Sequence, residues 1–284
     1  MNETWQAKAE VLASTGNLSW RQIADALRKP KSTVSDHLRR VGIIPTEAAA
    51  ASVDIGEVLK EHDNSRILFI SDMHIPYHHS GLLPFLAGLK KRYEPTRVIC
   101  VGDELDKHAM SFHDTDPDLD NAGPELEKAL PVIAKVEQLF PVVDLVDSNH
   151  GSMVYRKAKH HGIPRRYIKP YNEVLGVGDG WKWHMDMTIT LPDGQDVYIH
   201  HGKLSSAVRV SQAMGMSFVC GHYHEKFGIE YWANPRGLYW AMNTGCLIND
   251  DSLAFAYNNT NLKRPIIGTG LIVDGVPILE AMPL

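Results

Sequence analysis

Clusters of Asp, His and Asn occur at five separated points of the chain. They are Asp72-Met73-His74, Gly102-Asp103-Glu104-Leu105-Asp106, Ser148-Asn149-His150, His200-His201-Gly202 and Gly221-His222-Tyr223-His224. Carboxylate, imidazole and amide groups together suit Mn, Fe, Zn or Co better than calcium or a metal that prefers thiolates. The clusters hold more of these groups than one ion needs, so the pattern predicts two ions that share one carboxylate.

Two divalent ions about 3.5–4 Å apart favour hydrolysis at phosphorus. A water that bridges two such ions loses its proton near neutral pH, and the resulting hydroxide is the nucleophile. The ions also neutralise the non-bridging phosphate oxygens during an in-line attack. The expected chemistry is therefore metal-dependent hydrolysis of a phosphate ester.

A short apolar segment precedes each cluster and predicts a strand of a sheet that is covered on both faces. These segments are Ile67–Ile70, Val98–Val101, Val142–Val146, Val197–Ile199 and Phe218–Cys220. In open α/β sheets, functional groups collect at the carboxyl ends of the strands. We therefore expect the five clusters to form one site.

In order and spacing, these motifs resemble the calcineurin-like metallophosphoesterase superfamily over residues 66–284. The family pattern is Asp-x-His, Gly-Asp-x-x-Asp, Gly-Asn-His-Asp/Glu, a His usually followed by Gly, and Gly-His-x-His. The resemblance implies an α/β fold of four layers, α/β/β/α, with two facing sheets between helices. It also implies a ligand set with Asp72, His74 and His224 on one ion, Asn149, His201 and His222 on the other, and Asp103 bridging them.

The resemblance further implies two residues that act beside the metals. His150 would contact the phosphate and protonate the leaving oxygen, and Asp106 would orient His150 and stabilise its charge. Two positions depart from the family pattern, because Ser148 replaces Gly and Gly151 replaces Asp or Glu. Neither position holds a metal in the family, so activity is expected to survive.

Two details narrow this interpretation. The second motif continues as Asp106-Lys107-His108, whereas the Ser/Thr protein phosphatases of the superfamily carry Asp-Arg-Gly, which argues against a protein phosphatase. Neighbouring strand residues point to opposite faces, so only one of His200 and His201 can be a ligand. His201 is favoured because Gly202 after it lets the backbone pass close to the site, but the choice stays open.

The first 45 residues predict a separate all-α unit that resembles a helix-turn-helix DNA-binding domain. The resemblance rests on the segments RQIADAL and KSTVSDHLRR, and Ser32 is expected to cap a last helix that runs through Arg40. This helix would enter the major groove with a basic, hydroxyl-rich face. The expected DNA contacts are Ser32, Thr33, Asp36, Arg39 and Arg40. A protein-docking module is the alternative.

Residues 46–65 are interpreted as a linker to the catalytic domain of residues 66–284. Within that domain, residues 151–172 contain six Lys or Arg, three Tyr and no acidic residue. This composition suits a groove for a nucleic-acid backbone with aromatic stacking, and its candidate contacts are Arg165, Arg166 and Lys169. An ordinary solvated helix is the alternative.

The composition, with 44% hydrophobic and 22% charged residues, is that of an ordinary soluble globular protein. The three Cys show no paired spacing, which excludes a disulfide framework or a zinc knuckle. No apolar stretch approaches the roughly 18 residues of a membrane span. The N-terminus lacks the apolar core of a signal peptide, so a cytoplasmic location is expected. The net charge of −5 divides into +3 for residues 1–45 and −8 for the remainder.

Together, these features predict a two-metal phosphodiesterase or nuclease that acts on DNA and is targeted by its N-terminal unit. One alternative is a phosphomonoesterase for a nucleotide or another small phosphoester. Another is a DNA-binding regulator without activity, which the complete ligand set disfavours. Manganese is the expected metal, with iron, zinc, cobalt and nickel as alternatives. DNA is the expected partner, no membrane partner is expected, and a homodimer is left open.

Overall fold

A computed structural model describes residues 4–14, 20–41, 43, 63–111, 116–202, 204–255 and 262–283 of the 284-residue chain. The chain divides into two units, Met1–His62 and Asp63–Leu284. Of the predicted linker, residues 46–62 lie outside the described residues. Among the residues that the structure describes, no helix has the length and apolar character needed to cross a membrane.

Three short helices form the described part of the first unit: α1 (Trp5–Ser14), α2 (Trp20–Ala26) and α3 (Lys31–Arg40). They share a small apolar core to which all three contribute, with Leu12, Ile23 and Val34 fully buried. His37 of α3 also bonds Glu10 of α1, with 2.7 Å between Nε2 and Oε1. The unit is therefore a compact packing of three helices.

The last helix of this unit begins two residues before the position that a Ser32 cap predicts. Helix α3 starts at Lys31, Pro30 occupies the capping position, and no side chain caps the helix. The prediction that Ser32 caps this helix is therefore wrong, because Ser32 lies inside the first turn. All five predicted contact residues of this helix are exposed, while Val34 and Leu38 on its other face are buried.

The second unit contains two mixed sheets. The strands of the first are β1 (Arg66–Ile70), β2 (Arg97–Cys100), β3 (Val143–Val146), β4 (Trp181–His184), β10 (Gly268–Val273) and β11 (Val276–Ala281). Those of the second are β5 (Met187–Thr190), β6 (Asp196–Ile199), β7 (Ser217–Cys220), β8 (Phe227–Asn234) and β9 (Gly237–Thr244). Their orders are β11-β10-β1-β2-β3-β4 and β5-β6-β7-β9-β8. Strands β1 to β4 are parallel, as are β6, β7 and β9.

Helices cover the outer face of each sheet, which produces four layers. The helices are α4 (Leu82–Tyr93), α5 (Ala122–Leu139), α6 (Met153–His160), α7 (Tyr171–Leu175) and α8 (Ala207–Met214). One apolar core lies between the first sheet and α4 and α5, another between the two sheets, and a third between the second sheet and α8. Strand β1 serves two of these cores, because Leu68 faces the helices and Phe69 faces the other sheet. The predicted order of layers is observed.

One predicted strand is divided between the two sheets. Alternating apolar residues over 181–190 predict a single strand that pairs with residues 196–200. Instead, β4 pairs in parallel with β3 in the first sheet, and β5 pairs antiparallel with β6 in the second. The hairpin is confirmed for β5 and β6 only. The chain passes from the first sheet to the second at Met185 and Asp186. The alternation of apolar residues continues through both strands, so it does not predict the break between them.

Candidate metal centre

Five loops meet at one end of the two sheets and carry all the predicted ligands. They follow β1, β2 and β3 of the first sheet and β6 and β7 of the second, which are parallel strands of their sheets. Oδ2 of Asp103 lies 3.5 Å from His74 Nε2 and 3.1 Å from His201 Nε2. Oδ1 of Asp72 lies 3.2 Å from His224 Nε2. The structure therefore brings the clusters together, as their positions after strands predict.

The backbone at this site adopts conformations that few residues adopt. Asp72, His74, Asp103 and His222 have φ angles of 51°, 47°, 52° and 69°. Left-handed conformations are uncommon for residues other than Gly, and they cluster at functional sites. The packing is also close, since a Cβ atom on Gly221 would overlap the carboxylate of Asp72. The loops therefore hold these side chains in one fixed arrangement.

The first ligand group consists of Asp72, His74 and His224, whose ligand atoms lie within 4.8 Å of one another. Asp72 and His74 are almost fully buried. Nδ1 of His74 lies 2.6 Å from Asp106 Oδ1. A carboxylate in this position holds the proton on Nδ1 and leaves Nε2 as a lone-pair donor, which is the usual arrangement behind a metal-binding His.

The second group consists of Asp103, His201 and His222, which also lie within 4.8 Å of one another. Nδ1 of His201 donates to the backbone carbonyl of Val101 at 2.8 Å, so Nε2 is the nitrogen that faces Asp103 and would bind a cation once deprotonated. The His222 ring lies 5.0 Å from the His201 ring and is exposed. The turn that carries Asn149 is fixed to the group by its neighbour His150, whose amide donates to Asp103 Oδ1 at 3.2 Å.

Three of the predicted ligand atoms are buried without a hydrogen-bonding partner among the described residues. They are His74 Nε2, Asn149 Oδ1 and His201 Nε2. Leaving such an atom unpaired costs about 1–3 kcal/mol, so most buried polar atoms in proteins are satisfied. A divalent cation satisfies lone pairs of this kind. The residues present therefore fit bound metal ions.

Within the centre, carboxylates and imidazoles stabilise each other's charge. Burial opposes ionisation of Asp103, but the positive charges of His201 and His150 hold its pKa well below the usual value. Burial likewise lowers the pKa of His201, but the charge of Asp103 outweighs this and raises it to about 9. The centre therefore keeps its carboxylates ionised, and a bound cation must displace the proton from His201.

Asp106 contacts two imidazoles through different atoms. Its carboxylate lies against His74, as described above, whereas its backbone carbonyl accepts the hydrogen bond from His150 Nδ1. The His74 and His150 rings are 4.7 Å apart. The orienting contact that the resemblance implies for His150 thus comes from the backbone of Asp106, and the side chain of Asp106 supports a predicted metal ligand.

The two departures from the family pattern fit each other in space. The Oγ atom of Ser148 accepts hydrogen bonds from the backbone amides of Asp103 at 3.1 Å and Gly151 at 2.8 Å. A Cβ atom at Gly151 would lie 2.9 Å from both Ser148 Oγ and Asp147 Oδ1. The Ser hydroxyl therefore holds the loop of the predicted bridging residue, and it leaves no room for a side chain at 151.

The structure places His201, and not His200, against Asp103. His201 is buried, whereas His200 is half-buried and its Nδ1 accepts from the amide of Gly202 at 3.0 Å. A Cβ atom on Gly202 would lie 2.8 Å from the Cβ atom of His222. The small size of this glycine therefore allows the loops after β6 and β7 to approach each other.

Phe255 is a site residue that sequence reasoning missed. It belongs to the segment 250–264, which the sequence predicts to be an inserted surface loop. Yet Phe255 is 2% exposed, and its ring lies 5.4 Å from the His74 ring and 6.1 Å from the His224 ring. The surface-loop prediction is wrong at this residue, while residues 256–261 lie outside the described part. No motif marks Phe255, whose apolar ring shields two imidazoles.

The predicted DNA contacts of the second unit do not belong to either ligand group of the metal centre. Arg165, Arg166 and Lys169 are exposed and line a cavity of about 1250 Å³, which Leu105 and Gly151 beside the centre also line. The remaining predicted DNA contacts belong to the first unit: Ser32, Thr33, Asp36, Arg39 and Arg40.

Comparisons with known proteins give a weak structural likeness only. No protein-family model and no curated protein matches the chain. Vacuolar protein sorting 29 from Cryptosporidium parvum is 15% identical with a TM-score of 0.38, over 77% of this chain and 96% of its own. A single mutant of Vps29 from Entamoeba histolytica is 14% identical with a TM-score of 0.34, over 76% and 98%. Vps29 from Chaetomium thermophilum is 11% identical with a TM-score of 0.38, over 73% and 81%. Likeness at this level assigns no activity.

Proposed function

We propose that this protein is a two-metal-dependent phosphoesterase of the calcineurin-like metallophosphoesterase type. The observation that carries the proposal is a set of three buried ligand atoms without a hydrogen bond among the described residues, two of which, His74 Nε2 and His201 Nε2, lie within 3.5 Å of Asp103. Buried polar atoms that serve structure alone are usually satisfied by hydrogen bonds, whereas a metal site leaves ligand atoms directed at the ion. The sequence motifs provide the second, independent support.

In this proposal, Asp103 would hold both ions. Its Oδ2 atom lies within 3.5 Å of one imidazole from each ligand group, His74 and His201, which is where a shared carboxylate is needed. The remaining ligands are Asp72 and His224 on the first ion, and Asn149 and His222 on the second. Manganese suits the mixed oxygen and nitrogen set. When bound, the two ions supply a nucleophile from water at neutral pH and neutralise phosphate charge.

His150 is the proposed general acid for the leaving oxygen. Its Nδ1 atom is engaged by the Asp106 carbonyl, so Nε2 is the nitrogen that exchanges a proton. Its backbone amide donates to Asp103, which ties the position of the acid to that of the shared carboxylate.

The proposed substrate is a DNA phosphodiester, with the first unit as a helix-turn-helix targeting module. Support comes from the exposed cations Arg165, Arg166 and Lys169 beside the centre, and from the exposed basic face of α3. A phosphomonoesterase acting on a nucleotide is the second candidate. The cavity beside the centre favours it, because a walled cavity suits a small ligand better than a duplex does.

Parallel assays of the full chain test both the phosphoesterase activity and the DNA substrate. The manganese-loaded protein is given p-nitrophenyl phosphate, its bis ester, and labelled single- and double-stranded DNA, with the chelated protein and Asp103→Asn as controls. We expect metal-dependent hydrolysis of the bis ester and of DNA. Hydrolysis of the small esters alone would exclude the DNA assignment, and no hydrolysis with any divalent metal would exclude the phosphoesterase.

A further inference from the structure

The cavity beside the metal centre is large enough for an organic ligand. It is formed by the loop after β2, by α5, by residues 151–172 and by β4, and its volume is about 1250 Å³. Small-molecule pockets typically enclose about 300–1,000 Å³. Two lining residues, Leu105 and Gly151, are chain neighbours of Asp106 and His150, so the cavity begins where the proposed phosphate site ends.

Aromatic side chains form one end of the cavity. The rings of Tyr171 and Trp183 lie 5.3 Å apart, and both residues line the cavity. The Nε1 atom of Trp183 is buried and has no hydrogen-bonding partner among the described residues. An indole N–H can only donate, and a buried one normally finds an acceptor. This end therefore suits a flat, largely apolar group that carries hydrogen-bond acceptors at its edge.

Cations surround the aromatic end. Nζ of Lys107 lies 4.2 Å from the centre of the Tyr171 ring, and Cζ of Arg165 lies 5.3 Å from that of Tyr155. Arg166 and Lys169 also line the cavity.

Lys107 is already engaged, because its Nζ donates to the backbone carbonyls of His150 and Gly151 at 2.8 and 3.1 Å. The two lining carboxylates, those of Glu125 and Asp147, offset the three exposed cations only in part. Glu125 already accepts hydrogen bonds from the backbone amides of His108 and Ala109, at 3.1 and 3.3 Å. A ligand that enters the cavity therefore meets an excess of positive charge, which favours an anionic group.

We propose that this cavity binds one nucleotide, with its base against Tyr171 and Trp183 and a second phosphate at Arg165 and Arg166. The inference rests on the proposed function for one point only, which is that the scissile phosphate lies in the metal centre. A base supplies the flat face and the edge acceptors, and stacking of bases on aromatic side chains does not depend on metal. The nucleotide is either the end of a DNA strand or a free nucleotide.

Calorimetric titration of the full chain in the presence of a chelator tests the cavity apart from catalysis. The probes are adenosine 3′,5′-bisphosphate and the abasic deoxyribose 3,5-bisphosphate, which carries the same charge. We expect the abasic compound to bind at least about tenfold more weakly, because loss of stacking has about that effect. Equal binding of the two probes would overturn the proposal.

Variants assign the binding to the two ends of the cavity. Trp183→Ala should weaken the adenosine compound about tenfold and leave the abasic one unchanged, whereas Arg165→Gln with Arg166→Gln should weaken both. Trp183→Phe keeps an aromatic ring but lacks the N–H, so its affinity for the adenosine compound should lie between those of the wild type and of Trp183→Ala. This variant also tests the site if the Ala variant does not fold. Trp232→Ala and Arg236→Gln, outside the cavity, serve as matched controls. Equal effects of the cavity variants and of the controls would contradict the proposed site.

Competition distinguishes the two sources of the nucleotide. A single-stranded oligonucleotide that begins with phosphorylated adenosine should displace the probe if strand ends bind, and should fail to do so if only free nucleotides fit. Base-dependent binding without any metal-dependent hydrolysis would leave the cavity proposal intact and remove the phosphoesterase. Hydrolysis of the bis ester without base-dependent binding would support the phosphoesterase and overturn the cavity proposal.

Discussion

The metal centre and the cavity wall of residues 151–172 are neighbours with opposite physical character. In the centre, Asp103 and His74 are buried, and both have a left-handed backbone conformation. His74 contacts the carboxylates of Asp106 at 2.6 Å and Asp103 at 3.5 Å. In the wall, Arg165 and Arg166 are exposed and contact mainly the faces of tyrosine rings. In the proposed function, strand ends fix the groups that would do the chemistry, while residues 151–172 present the groups that would select a substrate. Changes in the centre should therefore affect every substrate, and changes in the wall only some.

Asp103→Ala should have the largest effect. It removes the carboxylate that lies between the two ligand groups, so hydrolysis of all substrates should fall to background and the metal content should fall from two ions per chain. Elemental analysis and the bis-ester assay measure these outcomes. Asp193→Ala, an exposed carboxylate on the β5–β6 turn, is the control. Two tightly held ions in the Asp103 variant would contradict the bridging role.

His150→Ala should leave the metals in place and slow turnover by about 10²–10⁴-fold, the usual range for a lost general acid. The defect should shrink for p-nitrophenol, which is a good leaving group and needs little protonation, and should be full for an alkyl leaving group. The ratio of the two rates is the measurement. An equal loss on both leaving groups would show that His150 does not donate the proton.

Asp106→Asn should have a smaller effect of another kind. Its carboxylate contacts His74, so we expect metal affinity to fall by about 10–100-fold. Its backbone carbonyl still holds His150, so the dependence of the rate on the leaving group should match that of the wild type. Metal titration and the leaving-group series separate the two effects. A leaving-group defect at saturating metal would mean that the carboxylate also serves His150.

Neutralising the wall tests the other side of the comparison. Replacing Arg165, Arg166 and Lys169 by Gln should raise the Michaelis constant for DNA and flatten its salt dependence, by a slope of about 0.9 for each lost phosphate contact. Hydrolysis of the bis ester should change by less than about twofold, and Arg236→Gln is the control. If both substrates respond equally, the wall supports the fold and does not select the substrate.

The smallest effect on activity is expected for Asp144→Asn, which tests the scaffold. Asp144 on β3 bonds Arg97 on β2 at 2.7 Å and His184 on β4 at 2.9 Å. Burial opposes its ionisation, but His184 and Arg97 lower its pKa from 3.8 to about 2. The contacts of the ionised Asp144 carboxylate therefore stabilise the fold by about 2 kcal/mol above pH 3.8, and this contribution is lost as the pH falls towards 2.

Denaturation curves of the Asp144→Asn variant between pH 2 and 7 measure this contribution. We expect the variant to be less stable than the wild type at pH 7 and to approach it near pH 2, with metal content unchanged. A difference in stability that is constant over this range would show that the ion pair is not its source.

The residues that converge at the centre could be predicted because each motif is local in the sequence. Asp72 and Asp103 each follow a short apolar run by two or three residues, and parallel strands bring such positions to one edge. The Asp274-Gly275 pair likewise predicts a tight turn between two strands, and both residues have positive φ, as a two-residue hairpin of this type needs. Short-range patterns carry this information without any knowledge of tertiary contacts.

Other features depend on contacts between distant segments, which no local pattern records. Phe255 reaches His74 from a segment that reads as polar, and Ser148 bonds the amide of Asp103 across 45 positions. The edge strand β8 has no regular alternation of buried and exposed residues, so it was not predicted. DNA contact by the exposed face of α3 likewise depends on a partner molecule, so it stays a prediction.

Anomalous diffraction from crystals grown with manganese tests the central claim most directly, because it locates the ions without an assay. The account predicts two peaks about 3.5–4 Å apart on either side of the Asp103 carboxylate. One should lie among Asp72, His74 and His224, and the other among Asn149, His201 and His222. A centre without peaks at saturating manganese, or a single peak that Asp103 does not contact, would contradict it.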